Sequence, residues 1–269
     1  MTFSIITICY NSSYTIAATI ESVLSQDNPV MEYIIVDGGS TDGTLDIIRG
    51  YAAQERRIRW ISEPDEGIAD AFNKGIRMAS GDVIGILNSD DCYVPVALRM
   101  VAEAVAAHPE CDVFHGNMLR YQGDTPLFLL KPSDVECNIW HEMPLNHPAT
   151  FVKRRAYQKV GSFDTGLKIA MDYDMILRFY RAGFRFWHID EVLAHMRYGG
   201  ASDTQVLAGL KEVFLASVRQ GYPRWKAACW MVWNGALRSI KNLLRALGLH
   251  HLLRIHSKFH PIQTPERRQ

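Results

Sequence analysis

The segment IGILNSDDCYVP, residues 84–95, places two adjacent carboxylates directly after an apolar run. Asp90 and Asp91 repel each other there unless a metal ion, a basic partner or water compensates their charge. Oxygen ligands of this kind suit Mg²⁺ or Mn²⁺, which proteins often hold with one or two carboxylates and the phosphates of a substrate. The alternative is a solvated turn in which Asp91 caps the next helix. Other polar strand ends are predicted nearby, so the metal interpretation is favoured.

A second carboxylate at the end of a predicted strand is Asp37, which Gly38 and Gly39 follow. The glycines permit a close approach of a ligand or unusual backbone angles. Asp37 could accept hydrogen bonds from a nucleotide base or a ribose. Alternatively, Asp37 or Ser40 only caps the following helix. The residues alone leave both interpretations open.

Asp172 and Asp174 stand at the start of a predicted helical segment, in the sequence MDYD. Acidic residues at this position are often explained by the helix dipole, which stabilises negative charge near the N-terminus. A functional interpretation makes one of them a general base that is aimed into a cleft. Asp174 fits the helix-cap region better, but the sequence does not decide between the two.

Imidazole and basic side chains supply weaker candidates. His147, in LNHPAT, could be a metal ligand or a hydrogen-bond donor to phosphate, and His141 could pair with it on a metal. A loop histidine is more often structural or solvated. The run Lys153, Arg154, Arg155 could contact a diphosphate, although a solvated helix face explains it at least as well.

The elements that must position these residues alternate in the first hundred residues. Short apolar runs at 3–9, 33–36, 58–61 and 83–87 predict buried strands. Apolar residues at helical spacing lie between them and after the fourth run. Alternating strands and helices predict an α/β fold with a doubly wound parallel sheet, which binds ligands at the carboxyl ends of its strands. Polar segments follow all four runs, and three of them carry carboxylates.

Residues 111–200 are less regular. CDVFHGNM and FRFWHI predict further strands, and PLNHPATFVKRRAY predicts a loop, a strand and the start of a helix. KIAMDYDMILRFYRAG predicts a loop that enters a helix with Ile176, Phe179 and Tyr180 on its packed face.

The bulk composition is that of an ordinary globular protein: 269 residues with 48% hydrophobic and 22% charged side chains. The formal net charge is zero, but eleven Lys and Arg against two Asp and Glu follow from Lys211 onward. Five scattered cysteines without a CxxC pair favour reduced thiols in the cytoplasm. We expect no secretory signal and no simple membrane-spanning helix, because the N-terminus lacks a basic region and no apolar run approaches about 18 residues.

The basic C-terminal region carries apolar residues at helical spacing from Trp225 to Leu247, with basic residues on the flank of the later part. Residues 225–237 are expected to pack on the rest of the chain. For the segment after them, contact with an anionic membrane surface and packing are equally favoured. Asn234 and Gly235 could break the helix in two, and the final HPIQTPERRQ is expected to be loose.

Taken together, these segments resemble the glycosyltransferase family 2 proteins with the GT-A fold. The resemblance covers residues 3–200, and several motifs follow one another in the family's order. SIITICYNSSYTIAATIESVLSQ, EYIIVDGGSTDGT, ISEPDEGIADAFNKGI and ASGDVIGILNSDDCY resemble the nucleotide-sugar half, whereas HPATFVKRRAYQKVGSFD and MDYDMILRF resemble the acceptor half. The similarity is strongest to bacterial enzymes of exopolysaccharide and lipopolysaccharide assembly.

The resemblance implies a GT-A catalytic domain at 1–205, with a Rossmann-like nucleotide-sugar half at 1–110, an acceptor half at 111–205 and a mixed central sheet. A basic amphipathic helical region would follow at 206–269. The resemblance also implies residue roles: Asp37 would bind the base, which is expected to be uracil, with Thr7 and Tyr10 lining its pocket. Asp65 and Asn73 would face the nucleotide and the donor sugar.

Asn88 and Asp90 occupy the two ends of the family's Asp-x-Asp motif. Asp90 would hold Mn²⁺ or Mg²⁺ with help from Asp91, and Asp172 matches the catalytic aspartate of the family's Glu-Asp pair. Two positions depart from the pattern: Asn88 replaces the first aspartate, and Met171 stands where the family often has glutamate. Both changes leave the central carboxylate in place.

The function that follows from the resemblance is inverting transfer of a sugar from a nucleotide-diphosphate donor, a UDP-sugar, to a hydroxyl of a glycan or lipid-linked acceptor. The expected location is the cytoplasm or the inner face of the cytoplasmic membrane, and no nucleic-acid partner is expected. Two alternatives remain. A sugar-phosphate nucleotidyltransferase would want a glycine- and lysine-rich phosphate loop, which TICYNSS lacks. A non-catalytic nucleotide-sugar-binding protein is disfavoured by the presence of Asp37, Asp90 and Asp172.

Overall fold

The computed structural model describes residues 1–27, 32–123, 125–197, 205–246 and 260–261. The described strands join in one mixed sheet with helices packed on both faces. The strands are Phe3–Cys9 (β1), Glu32–Asp37 (β2), Ile58–Ser62 (β3), Val83–Asn88 (β4), Cys92–Tyr93 (β5), Val113–Gln122 (β6), Thr125–Leu130 (β7), Thr150–Lys153 (β8), Phe186–Arg197 (β9) and His260–Pro261 (β10). The helices are Ile16–Leu24 (α1), Thr44–Gln54 (α2), Ile68–Met78 (α3), Ala97–Ala107 (α4), Val135–Asn138 (α5), Arg154–Val160 (α6), Met171–Arg181 (α7), Val206–Arg219 (α8) and Arg224–Ala246 (α9).

The first four strands form the predicted parallel sheet. β1 lies at its centre and pairs in parallel with β2 and β4, and β3 adds in parallel to β2. All seven residues of β1 and all six of β2 are buried, as both faces of a parallel sheet require. Helix α3 approaches β1 closely because Gly75 has no Cβ, which would collide with the Ile6 side chain.

The second half of the chain adds strands of mixed direction. β8 runs antiparallel to β4 and to β6, whereas the long strand β9 runs parallel to β6 and antiparallel to β5. Helix α7 packs with Ile176 and Phe179 buried and Tyr180 partly buried, as its periodicity predicts. The mixed central sheet expected from the family resemblance is thereby confirmed.

Two C-terminal helices close the described chain. Helix α8 packs against α7, and α9 packs against α8. Stacked rings hold the start of α9 and the turn before it to the segment after α5: Trp140 stacks on Tyr222 at 5.1 Å between ring centroids, and His141 stacks on Trp230 at 5.7 Å. No helix in the described ranges is long and apolar enough to cross a bilayer.

Helix α9 is continuous through Asn234 and Gly235, so the predicted break is absent. Residues 225–237 pack on the rest of the chain as expected, but the apolar stripe does not form the contact face, because Trp225 and Trp233 are 67% and 65% exposed and Ala227 is buried instead. The final segment HPIQTPERRQ lies outside the described residues, apart from His260 and Pro261.

Candidate functional site

A cavity of about 480 Å³ opens at the carboxyl ends of β1, β3 and β4. One wall comes from the first half of the chain and carries Tyr10, Asp65 and Asp90. The opposite wall comes from the second half and carries His147 and Asp172. The sheet edge that the sequence predicted as the ligand site therefore faces a cleft between the two halves.

The two adjacent carboxylates after β4 point in different directions. Asp90 is exposed and lines the cleft. Asp91 is 1% exposed, accepts a hydrogen bond from Asn88 Nδ2 at 3.3 Å, and has no hydrogen-bond partner at Oδ1 among the described residues. Asp91 was predicted to help Asp90 bind the ligand. It lies instead behind the cleft wall and faces the protein interior.

The burial of Asp91 also answers how two neighbouring carboxylates coexist. Loss of hydration, followed by the negative charge of Asp90, raises the pKa of Asp91 well above its ordinary value. Because Asp91 faces the protein interior, Asp90 is the carboxylate of this pair that faces the cleft.

The turn between Asn88 and Asp90 is held from the first strand end. Ser89 is nearly buried and donates a hydrogen bond to Ser12 Oγ at 2.8 Å. Asn88 is partly buried and lines the cleft beside Asp90. The end of β4 is thus fixed to the segment that follows β1, which orients Asp90 towards the cavity.

Tyr10 and Asp65 form the wall predicted for the nucleotide. Tyr10 is largely exposed within the cleft, and its ring lies beside Gly38. Asp65 accepts a hydrogen bond from the Gly67 N–H at 2.9 Å. A Cβ on Gly38 would come within 2.5 Å of Asp65 Oδ2, so a larger residue there would require the Asp65 side chain to shift. The structure brings these two predicted residues together.

Asp37 lies next to this wall but not in it. Its carboxylate is buried and accepts hydrogen bonds from the N–H groups of Gly39 and Ser40 and from the hydroxyls of Ser40 and Ser62. Burial opposes its ionisation, but these donors outweigh burial and hold the pKa of Asp37 below its ordinary value. The described contacts give Asp37 the role of fixing the turn after β2, which corrects its predicted contact with the base.

Two other predicted ligand contacts are corrected to structural roles. Thr7 is fully buried in β1 and accepts a hydrogen bond from Tyr33 at 3.0 Å, while Ile8 and Cys9 line the cleft. Asn73 is 6% exposed, and its side-chain amide hydrogen-bonds the backbone of Phe163. Its Nδ2 donates to the Phe163 carbonyl at 3.0 Å, and its Oδ1 accepts from the Phe163 N–H at 2.7 Å.

The structure distinguishes between the two aspartates at the start of α7. Asp174 is 4% exposed and pairs with Arg178 at 2.9 Å, and burial raises its pKa despite that partner. Asp172 is partly exposed, lines the cleft and accepts a hydrogen bond from the Tyr173 N–H. Asp172 is therefore the carboxylate that can reach a ligand.

His147 lies on the same wall as Asp172. Its ring stacks on Phe72 at 5.2 Å between centroids, which joins it to helix α3 of the other half. Burial lowers the pKa of His147, and the negative charge of Asp172 opposes that shift only in part. The imidazole is accordingly neutral near pH 7, which suits hydrogen bonding to a ligand.

The ligand contacts predicted for His141 and Arg155 are corrected. His141 does not meet His147 on a metal, because its Nε2 hydrogen-bonds Tyr222 within the aromatic cluster of α9. Arg155 pairs with Asp112 at 2.5 Å, far from the cleft along the sheet. β8 is antiparallel to β4 and pairs Lys153 with Val83, so Arg155 lies at the edge where β4 begins.

A cleft residue that sequence reasoning did not identify is Lys168. Its Nζ reaches across the cleft to the Glu66 carbonyl at 2.8 Å and lies over Gly67. Lys168 stands four residues before Asp172, so the signal was present in the sequence. It was missed because a single lysine in a loop resembles any solvated charge.

The residues around Asp90 fit a Mg²⁺ or Mn²⁺ ion that a substrate helps to coordinate. In the described part of the chain, no group of three His, Cys, Asp or Glu side chains could hold a metal ion by itself. Mg²⁺ and Mn²⁺ sites often use one or two carboxylates and complete their coordination with substrate phosphates and water. An exposed Asp90 with the Asn88 amide beside it matches that pattern.

The family model described as Glycosyl transferase family 2 matches residues 4–176. The chain belongs to this family. The match includes both cleft walls, from Tyr10 through Asp90 to Asp172. The resemblance recognised in the sequence is thereby confirmed.

Named relatives of the family come from several pathways. O-antigen biosynthesis protein RfbC of Myxococcus xanthus is 33% identical over 202 residues, which cover 74% of this chain but 16% of that protein. A PGL/p-HBAD biosynthesis glycosyltransferase of Mycobacterium bovis is 29% identical over 217 residues, covering 76% of this chain and 80% of that protein.

Solved structures confirm the GT-A fold. TarS 1–349 of S. aureus in complex with UDP-GlcNAc has a TM-score of 0.66 at 20% identity, over 86% of this chain and 70% of that one. Mannosyltransferase PcManGT of Pyrobaculum calidifontis, in complex with GDP-Man and Mn²⁺, has a TM-score of 0.66 at 19% identity, over 95% and 81% of the two chains.

Proposed function

We propose that this family 2 protein is an inverting, metal-dependent glycosyltransferase. It moves a sugar from a UDP-sugar to a hydroxyl of a glycan or lipid-linked acceptor in surface polysaccharide synthesis. The observation that carries the proposal is the convergence of Asp90 and Asp172 on one cleft from opposite halves of the chain. The named relatives from O-antigen and glycolipid biosynthesis, and a neighbour solved with UDP-GlcNAc, support the substrate class.

The first wall of the cleft is suited to a nucleotide. The exposed ring of Tyr10 offers a face for stacking on a base, and the Asp65 carboxylate can accept hydrogen bonds from a ribose. Lys168 supplies positive charge from the opposite wall and can contact a diphosphate. These three side chains hold the donor across the cleft.

Asp90 and Asn88 would hold the divalent cation. Such a cation, when bound, neutralises the charge that develops on the departing nucleoside diphosphate. Lys168 acts on the same charge without a metal. A neighbour solved with Mn²⁺ supports this part of the proposal.

Asp172 is the proposed general base. Its carboxylate takes the proton of the acceptor hydroxyl as the oxygen attacks the anomeric carbon and the bond from that carbon to the diphosphate oxygen breaks. A single displacement of this kind, with attack on the face opposite the leaving group, inverts the anomeric configuration. The opposed arrangement parallels that of inverting glycosidases, in which the two catalytic groups flank the sugar.

A thermal-shift panel tests the donor and the metal together. We expect a UDP-sugar with Mn²⁺ to raise the melting temperature of the full chain more than either alone, since a ligand selective for the folded state stabilises it. Asp90→Asn should abolish the extra shift due to Mn²⁺. Asp46→Asn, which removes an exposed carboxylate on α2, is the matched control and should keep it.

The same panel, extended to product release, discriminates among functions. Transfer releases UDP in the presence of donor and acceptor, whereas a non-catalytic binder shifts its melting temperature without releasing UDP. A nucleotidyltransferase would instead form the nucleotide sugar from a sugar phosphate and a nucleoside triphosphate. Absence of any nucleotide-dependent shift, with or without Mn²⁺, would remove the proposal.

The exposed face of α9 is proposed to contact an anionic lipid surface. Trp225, Val232 and Trp233 lie at helical spacing on this face and are each about two-thirds exposed. Tryptophan side chains anchor to membrane interfaces, and the excess of Lys and Arg after residue 210 favours anionic lipids. Such a contact would support work at the inner face of the cytoplasmic membrane, where a lipid-linked acceptor would be within reach.

Flotation with phosphatidylglycerol-containing vesicles tests that contact. The double variant Trp225→Ser, Trp233→Ser and a deletion of residues 238–269 should each reduce binding, and neutral vesicles should bind weakly. Full binding by both variants would overturn the lipid proposal. Concentration-dependent dimerisation that the tryptophan variant alone abolishes would assign this face to a second copy of the chain instead.

A further inference from the structure

The helix that carries the proposed base begins without a cap of its own. Helix α7 starts at Met171, and its N-cap residue is Ala170, whose side chain cannot accept a hydrogen bond. The backbone N–H groups of the segment just before α7 are not part of the helix and need an acceptor from elsewhere.

That acceptor is a carboxylate from the C-terminal helices. Glu212, in the middle of α8, accepts hydrogen bonds from three consecutive backbone N–H groups: Lys168 at 3.0 Å, Ile169 at 2.8 Å and Ala170 at 2.8 Å. One oxygen, Oε2, serves both Ile169 and Ala170 and also lies 3.1 Å from the Lys168 nitrogen. Charge-assisted bonds of this kind are about twice as strong as neutral ones.

The packing of α8 is adapted to this contact. Gly209, three residues before Glu212, lies against Ile169, and a Cβ there would come within 3.2 Å of the Ile169 side chain. One turn further along α8, Ala216 is fully buried, and Arg219 pairs with Asp164 at 2.7 Å. α8 is therefore seated on the segment that leads into α7, with its only carboxylate at the point of contact.

The segment that Glu212 binds belongs to the cleft. Lys168, Ile169 and Asp172 all line the cavity, and only Met171 separates Ala170 from Asp172 along the chain. We infer that Glu212 is a positioning residue, which fixes the 168–170 backbone and thereby places Asp172 and Lys168 against the donor and acceptor. This inference rests on the proposed function, in which Asp172 is the base.

Catalysis is sensitive to small displacements of the reacting groups. A shift of about 1 Å in a reacting group can reduce turnover on the order of 100-fold. Loss of the carboxylate would turn three N–H groups to water and release the segment. We therefore expect Glu212→Ala to lower kcat by about 10- to 100-fold. The binding of UDP should weaken by no more than about tenfold, the loss expected for removal of Lys168 itself, since the other nucleotide contacts lie on the other wall.

Glu212→Gln and Arg219→Ala make the test specific. The side-chain amide in Glu212→Gln keeps one oxygen for the N–H groups of Ile169 and Ala170 but lacks the charge, so its kcat should lie between those of the wild type and Glu212→Ala. Arg219→Ala breaks another polar contact of α8, to Asp164, and leaves the carboxylate in place. An equal loss of kcat in Arg219→Ala and Glu212→Ala would show that α8 matters only as a packed element, and would overturn the positioning role.

Hydrogen–deuterium exchange provides a readout that does not depend on activity. In the full-length chain, Glu212→Ala should speed exchange of the amides of residues 168–170, Glu212→Gln should do so less, and Arg219→Ala should leave them near wild type. Unchanged exchange in Glu212→Ala would overturn the contact. Faster exchange with an unchanged kcat would overturn the positioning role.

The two proposals fail in different ways. If the wild-type chain transfers no sugar, the proposed function fails together with the catalytic role of Glu212, yet exchange still decides whether Glu212 holds the segment. If transfer occurs and Asp172→Asn retains it, Asp172 is not the base and Glu212 has no base to position. If transfer depends on Asp172 but not on Glu212, only the present inference is lost.

Discussion

Replacement of Asn73 by alanine distinguishes a structural from a ligand-binding role for this residue. The Asn73 amide makes two hydrogen bonds with the Phe163 backbone, at 3.0 and 2.7 Å, in a site that is 6% exposed. Alanine removes both and leaves a buried N–H and a buried carbonyl without partners. Each such group costs about 1–3 kcal/mol, so the free energy of unfolding should fall by about 2–6 kcal/mol.

Urea denaturation of the full chain measures this loss. The midpoint should fall while the slope stays the same, because the surface exposed on unfolding is unchanged. The affinity for UDP should stay near that of wild type, since Asn73 does not line the cleft. Asn138→Ala is the matched control: its amide makes one hydrogen bond, at an exposed site, and should cost about 0.5 kcal/mol or less.

The opposite pattern would refute the reasoning. The Asn73→Ala variant could unfold at the wild-type midpoint but bind UDP at least about tenfold more weakly, a loss of about 1.4 kcal/mol. That result would show that Asn73 contacts the nucleotide. A loss of stability equal to that of Asn138→Ala would show that the Phe163 contacts contribute nothing specific.

Two further predictions concern charge. Burial lowers the pKa of His115 from 6.5 to about 3, and the charge of His188 adds to the shift. The Nδ1 atom of His115 has no hydrogen-bond partner among the described residues. Between these values the unfolded chain binds more protons, so stability rises with pH; acidification from pH 6.5 to 4.5 should remove about 2–3 kcal/mol through His115. Urea midpoints across this range should fall less steeply in His115→Leu, and equal slopes would contradict the assignment. Lys168→Ala should weaken UDP binding about tenfold with little change for uridine, by calorimetry; equal loss for both would place Lys168 away from the diphosphate.

The alternation of the first half could be predicted because each element has its own local pattern. Buried strands are continuous apolar runs and helices repeat every three or four residues, so β1 to β4 and α1 to α4 follow from the sequence. The convergence of their polar ends follows from the parallel direction. This is why Tyr10, Asp65 and Asp90 were correctly expected at one edge of the sheet.

Side-chain direction at the strand ends could not be predicted. Neighbouring residues on a strand point to opposite faces, so a difference of one position separates Thr7 in the core from Ile8 in the cleft. A similar one-position difference sends Asp90 outward and Asp91 inward, although both are aspartate in the sequence.

Long-range packing accounts for the other differences. Arg155 lies at the wrong edge because β8 runs antiparallel to β4, which no local pattern reveals. The exposed face of α9 and the contact of Glu212 with residues 168–170 depend on how helices from distant parts of the chain meet. The short strand β5 and the hairpin strand β7 were missed because their sequences lack a distinct alternation.

The central claim, that Asp172 acts on an acceptor opposite a nucleotide sugar, is tested most directly by turnover and donor binding in Asp172→Asn. The variant keeps the shape of the side chain and loses its basicity, so kcat should fall by about 10²–10⁴-fold while the dissociation constant for UDP stays near wild type. Turnover equal to that of the wild-type chain, with the same donor and acceptor, would contradict the account.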